Sequence, residues 1–144
     1  MLASRINFEE AIVLDLCCGT GNISFEFASR GAKSILAIDA HFGCTRYVHE
    51  TAKQLGFTGL KAYKSDIFKY LEKEENKYNL IFVDPPYEAD WIEKISEAIF
   101  SKNILLPEGI LVIEHGSKTN LSAQPHFIEK RNYGNVNFSI FIHP

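Results

Sequence analysis

Four apolar runs set the terms on which this chain can fold. "AIVLDLC" (11–17), "SILAID" (34–39), "NLIFVD" (79–84) and "ILVIEH" (110–115) are almost continuous in Val, Ile, Leu and Phe. They do not alternate apolar with polar residues, so both faces of each strand need cover, as in a parallel sheet between helices. Helical signals fill the gaps. "NISFEFASRG" (22–31) closes at Gly31 and "FGCTRYVHETAKQLG" (42–56) at Gly56, both residues suited to a left-handed C-terminal cap. "IFKYLEKEEN" (67–76) reads as a short charged helix, with "EKEENK" (72–77) as its solvated end. In "DWIEKISEAIFSKN" (90–103), Trp91, Ile95, Ala98 and Ile99 form one apolar stripe. "LKAYKSD" (60–66) is a further strand, and "PEG" (107–109) reads as a turn before the strand at 110. Two late strands, 126–133 and 136–143, flank "GN" and predict a closing hairpin. Right-handed crossovers then give an α/β chain with an open, doubly wound, mostly parallel seven-stranded sheet and a C-terminal hairpin.

The 144 residues fit one domain, 1–144, and 46% hydrophobic content can fill one substantial core. No apolar run approaches the ~18–20 residues of a membrane span, and "MLASRINFEEA" lacks the basic and apolar regions of a signal peptide. Cys17, Cys18 and Cys44 make neither a disulfide framework nor a zinc spacing. The expectation is a reducing, cytoplasmic setting with no membrane partner. A formal net charge of -3 argues against a surface that grips phosphates over a large area.

In such a sheet, ligands bind beyond the carboxyl ends of the strands. The residues that follow each run are therefore the candidates. In "DLCCGTGN", Asp15, Gly19 and Gly21 make half of a nucleotide fingerprint, with a helix N-terminus aimed at the same place. Ser24 stands where a dinucleotide site wants a third glycine, which disfavours NAD; an ordinary tight strand-to-helix turn stays open. Asp39, with Ala40 beside it, is placed either to hold ribose hydroxyls or to cap the next helix. Asp66 could accept from an adenine amine, with Ile67 against the ring, or could cap the helix at 67. After the fourth run comes "DPPY". Asp84 and the Pro85 carbonyl offer two acceptors on a turn that Pro85 and Pro86 stiffen, and Tyr87 can stack on a planar group. That set suits an amine conjugated to a flat ring; a capped strand end is the bland alternative. His115, which follows strand five next to Glu114, could line the substrate mouth or simply end its strand. Cys17 and Cys18 read better as small buried residues than as nucleophiles, and His41, Cys44 and His49 match no ligand pattern, so no metal is expected. Lys33, Arg46, Lys53, Lys61, Lys64, Lys130 and Arg131 are scattered basics, some able to contact phosphate and each otherwise ordinary surface charge.

"VLDLCCGTGN", "AID", "KSD" and "FVDPPY", in this order and spacing, resemble the class I S-adenosylmethionine-dependent methyltransferases. "LDLCCGTGNISFEFASRGA" and "IFVDPPYE" resemble more closely the bacterial family that methylates the guanine N2 amine in 16S ribosomal RNA. The likeness covers residues 12–142. It implies the Rossmann-like class I methyltransferase fold, S-adenosylmethionine as cofactor, and ribosomal RNA or a small-subunit assembly particle as partner. It also implies roles. The turn at Asp15, Cys17, Gly19 and Gly21 would approach the methionine portion, Asp39 and Ala40 the ribose, and Asp66 with the Ile67 backbone the adenine. Asp84 and Pro85, stiffened by Pro86, would hold the amine, and Tyr87 would stack on the base. The methyl would pass directly from sulfur to nitrogen, with no metal. Cys17 departs from the family's first glycine. Members also carry an N-terminal segment, and "MLASRINFEEA" reads as the tail of the helix that precedes strand one, consistent with a chain that lacks the rest. The rival readings are a DNA adenine or cytosine amino-methyltransferase, a non-catalytic binding module and a nicotinamide-dependent reductase.

Overall fold

The computed structural model describes residues 7–144. Seven strands form one sheet: β1 (Ile12–Leu16), β2 (Ser34–Asp39), β3 (Leu60–Lys64), β4 (Tyr78–Val83), β5 (Leu105–His115), β6 (Phe127–Tyr133) and β7 (Val136–Ile142). Helices α1 (Asn22–Ser29), α2 (Phe42–Leu55), α3 (Ile67–Lys73) and α4 (Ile92–Lys102) connect the first five. The strand order is β3-β2-β1-β4-β5-β7-β6. The first five are parallel, while β7 runs antiparallel to both β5 and β6. This is the expected doubly wound sheet with its closing hairpin, and Gly134 and Asn135 make the turn.

The non-alternating strands explain the layers. Side chains on one strand point to opposite faces in turn. Leu14, Leu16, Ile81, Val83, Leu111 and Ile113 pack on one face with Ile67 and Leu71 of α3 and Ile92, Ile95 and Ile99 of α4. Val13, Leu80, Phe82, Ile110 and Val112 pack on the other with Phe27 of α1 and Val48 and Ala52 of α2. Both predicted helix stops hold: Gly31 and Gly56 sit just past α1 and α2 at positive φ.

Three expectations change. The "PEG" turn lies inside β5, where pairing slips between Tyr78↔Leu105 and Leu80↔Ile110, so the chain bulges and then resumes the same strand. The segment before β1 is, in its described part, one 3₁₀ turn at Phe8–Glu10 capped by Asn7, and residues 1–6 of the expected helix tail lie outside the described residues. The charge run at 72–77 is not wholly solvated. Helix α3 stops at Lys73, and Glu74, only 6% exposed, accepts hydrogen bonds from the hydroxyls of Tyr70 and Tyr78 and from the Asn76 amide. A buried carboxylate is tolerable with that many donors. Among the described residues no helix is long and apolar enough to cross a membrane.

Candidate active site

Strand β1 has β2 on one side and β4 on the other, so the chain winds away from it in both directions. A crevice opens at such a switch point, outside the strands' carboxyl ends. The predicted acids meet there. Burial pushes the Cys17 thiol up to about 12, and the carboxylates of Asp39, Asp15, Asp84 and Asp66 all push it the same way. Acids at or just past the ends of β1 to β4 therefore all lie near enough to Cys17 to act on it electrostatically.

The glycine turn is built from unusual backbone. Cys17 has φ 61 and Gly21 has φ 89. A Cβ on Gly21 would stand 2.8 Å from Val48 Cγ2 and 3.0 Å from Phe25 Cε2, so only glycine lets α1 leave so close to α2. Around Gly19 the opposite holds: nothing lies within 4 Å of where its Cβ would be. That open space is where a ligand can approach the main chain. No side chain caps the N-terminus of α1. Asp15 itself faces inward. It is 1% exposed, accepts from Ser24 Oγ at 2.7 Å, and burial drives its carboxyl up to about 7 against that hydrogen bond. Its side chain holds α1 against β1, so any ligand contact falls to the backbone after it.

Asp39 is half-buried and ties the two nearest loops together. Its carboxylate accepts from the Gly19 amide at 3.0 Å and the His41 amide at 2.9 Å. A carboxylate has about four lone-pair sites, so roughly two remain for hydroxyl donors. Neighbouring Ala40 is exposed. Asp66 takes the capping role: its Oδ2 accepts from the Lys69 amide at 3.0 Å, at the start of α3. Ile67 is 6% exposed, and its side chain packs in the core instead of against a ring; its backbone stays beside Asp66.

Across the crevice, the Asp84 amide donates to the Leu16 carbonyl at 3.3 Å and so ties the β4 end to β1. Asp84 is exposed, Pro85 is buried and Pro86 is exposed. The Pro86 carbonyl accepts from the Ala89 amide at 2.9 Å, which leaves the Pro85 carbonyl outside that turn. Tyr87 is 47% exposed, and its ring lies 3.4–3.7 Å from where a Cβ on Gly116 would be. The bare Gly116 thus makes room for the ring.

Glu114 was not among the expected site residues. Val83 pairs with Ile113 in register, so the next residues, Asp84 and Glu114, end adjacent strands side by side. The Glu114 carboxyl lies beside Asp84 and near the Tyr87 hydroxyl. Burial first, and then the Asp84 carboxylate, push it up to about 7. Burial also holds Asp84 above the usual carboxylate range, with the hydrogen bond from Glu114 working against it. The signal was present in the sequence, since "LIFVD" and "LVIE" both end an apolar run on an acid. His115 belongs to the core: it is 0% exposed, with Nε2 2.7 Å from Ser139 Oγ and Nδ1 2.9 Å from the Gly116 carbonyl. It does not line the mouth. Among the described residues no three His, Cys, Asp or Glu side chains stand together as metal ligands would. Burial pushes the Cys18 thiol up as well, so neither cysteine is an activated nucleophile. Of the basic residues, Arg46 pairs with Glu50 and Arg131 with Glu129 on the surface. A cavity of about 430 Å³ between α4 and residues 124–126 is lined by none of the strand-end acids.

A family model described as "Conserved hypothetical protein 95" matches residues 1–142. A Bacillus subtilis protein named "Putative rRNA methyltransferase YlbH" is 30% identical over 112 residues, which are 75% of this chain and 61% of that protein. Ribosomal RNA small subunit methyltransferase D of Buchnera aphidicola is 23% identical over 122 residues, 85% of this chain and 62% of that protein. The chain thus spans about three fifths of the length of these two relatives. A solved RNA methyltransferase from Salinibacter ruber, in complex with S-adenosyl-L-homocysteine, superimposes with a TM-score of 0.78 at 15% identity, covering 99% of this chain and 87% of that one. At that identity the likeness shows the fold, the Rossmann-like architecture of class I methyltransferases.

Proposed function

The chain belongs to the Conserved hypothetical protein 95 family, and we propose that it transfers a methyl group from S-adenosylmethionine to an exocyclic amine of ribosomal RNA, the guanine N2 amine in 16S RNA. The observation that carries this reading is the convergence of Asp39 and Asp84 on the end of β1, the first through the Gly19 amide and the second through the Leu16 carbonyl. The two named relatives are rRNA methyltransferases, which supports the RNA substrate.

The residues suit the cofactor. Open space at Gly19, two free acceptor sites on Asp39 and an uncapped α1 make a cradle for a nucleoside with a charged tail. Asp39 would take the ribose hydroxyls, Asp66 and the Ile67 backbone the adenine, and the backbone from Cys17 to Gly21 the methionine end. When bound, the cofactor supplies a methyl carbon made electrophilic by a sulfonium. The chain's own part is orientation. Asp84 and the Pro85 carbonyl accept the amine's two hydrogens and so direct its lone pair, while Tyr87 covers the base. No covalent enzyme intermediate is needed.

Labelled methyl transfer into 30S particles and naked ribosomal RNA, with mapping of the modified base, tests the reading. Label on a guanine N2 is expected. Label on DNA instead would favour the DNA amino-methyltransferase reading, in which the base must also be unstacked. A chain that binds neither S-adenosylmethionine nor S-adenosylhomocysteine would leave only the fold; tight NAD(H) binding would point to a reductase.

A further inference from the structure

An amine that gains a methyl group must lose a proton, and the two acids at the β4 and β5 ends stand where that proton emerges. Resting on the amine-methylation reading above, we propose that Glu114 is the proton-holding partner of Asp84, and that the two carboxyls act as one acceptor for the proton released by the substrate amine.

The geometry sets the pair. The ladder that joins Val83 to Ile113 puts Asp84 and Glu114 next to each other at the lip of the crevice. Tyr87 closes the third side, its ring against Gly116 and its hydroxyl on the Glu114 side. Phe138, the β7 residue in register with Glu114, brings no charge. His115 is turned away to Ser139. From β1, the buried Asp15 adds a further like charge near Asp84. Arg131 on β6 lies one strand beyond Phe138 and is paired with Glu129. Among the described residues no cation pairs with either acid, so the two carboxyls stabilise each other chiefly by sharing a proton. Two acids placed this way titrate as a unit, the first proton easily lost and the second held. A lone Asp84 of ordinary acidity would hold the transferred proton less firmly near neutral pH than the pair does.

The step balances. The amine nitrogen forms a bond to the methyl carbon while the carbon–sulfur bond breaks and its electron pair stays on sulfur. One N–H proton passes to Asp84, is shared with Glu114 and leaves to solvent through the exposed Asp84. Glu114 acts through Asp84 and is a positioning residue in this scheme.

Two measurements on the full chain test it. In the cofactor-free protein, carbon-13 NMR of labelled Asp and Glu carboxyls should show Asp84 and Glu114 titrating together, the upper step near neutral pH. Glu114→Gln should leave Asp84 with a single, uncoupled titration, held above the ordinary acid range by burial alone. In methyl transfer, kcat should rise with pH through the same upper step. Glu114→Gln should lower kcat about 100-fold and move the acidic limb down by about one pH unit, with cofactor affinity unchanged. Glu114→Asp, which keeps the acid, should recover the wild-type limb and guards against a Gln variant that folds poorly. Independent titration of the two acids, or an unmoved limb in Glu114→Gln with normal wild-type transfer, would overturn the inference alone. A wild-type chain that transfers no methyl group while its acids still titrate together would overturn the reading on which the inference rests, and the proton role with it.

Discussion

The two sides of the crevice are built differently. At the β1 and β2 ends almost every polar group already has a partner: Asp15 has Ser24, Asp39 has Gly19 and His41, and the turn is locked by positive φ at Cys17 and Gly21. At the β4 and β5 ends, Asp84 and Glu114 lie beside each other and Tyr87, and among the described residues no cation pairs with them. The first side is a rigid receptacle whose shape is the function. The second side keeps its acids underneutralised, which costs stability and leaves them ready to accept hydrogen from something else. A rigid side to bind and a poised side to react is the division that the proposed chemistry needs.

Substitutions on either side can break that division. The largest effect belongs to the poised side: Asp84→Ala should lower methyl transfer about 1,000-fold, about 4 kcal/mol in the barrier, with cofactor affinity within a factor of about two. Steady-state transfer and calorimetric titration on the same preparation check this. Next comes the rigid side. Gly21→Ala puts a Cβ at φ 89 and 2.8 Å from Val48, and should cost about 2–3 kcal/mol of stability in urea unfolding. Loss of rate with stability intact would contradict the structural role given to Gly21. Asp39→Ala should weaken cofactor binding by about 1–3 kcal/mol, the loss of charge-assisted hydrogen bonds, and leave kcat at saturating cofactor nearly unchanged. Should Asp39→Ala and Asp84→Ala show the same pattern, the two sides would not be separate.

The smallest effect is a pH slope. Burial raises the Asp15 carboxyl from 3.8 to about 7, so between those values the folded chain binds more protons than the unfolded one. Its contribution to stability therefore falls as pH rises from about 4 to about 7 and is flat above. Asp15→Asn, which can still accept from Ser24, should flatten that part of the stability profile and leave methyl transfer nearly unchanged. An unaltered slope would mean that Asp15 is not the group responsible.

The rigid side was the more legible of the two in the sequence. A glycine-rich turn and acids at strand ends are local signals, and strand patterning alone gave a sheet covered by helices on both faces. What escaped depends on pairing between distant segments. Glu114 looked like a strand-end neighbour of His115 until the β4–β5 register set it beside Asp84. His115 looked available until β7 brought Ser139 to its Nε2. Glu74 sat in a run of charge that reads as solvated, and the hydroxyls of Tyr70 in α3 and Tyr78 in β4 make it a buried acceptor. The bulge in β5 was hidden because Pro107 and Gly109 normally end a strand; here the strand resumes after them.

The most direct test is a crystal structure of this chain soaked with S-adenosylhomocysteine. The account predicts ribose hydroxyls on Asp39, the adenine beside Asp66 and Ile67, and the sulfur facing Asp84 across the crevice. A ligand bound elsewhere, or in this crevice with its sulfur turned away from the β4 end, would contradict it.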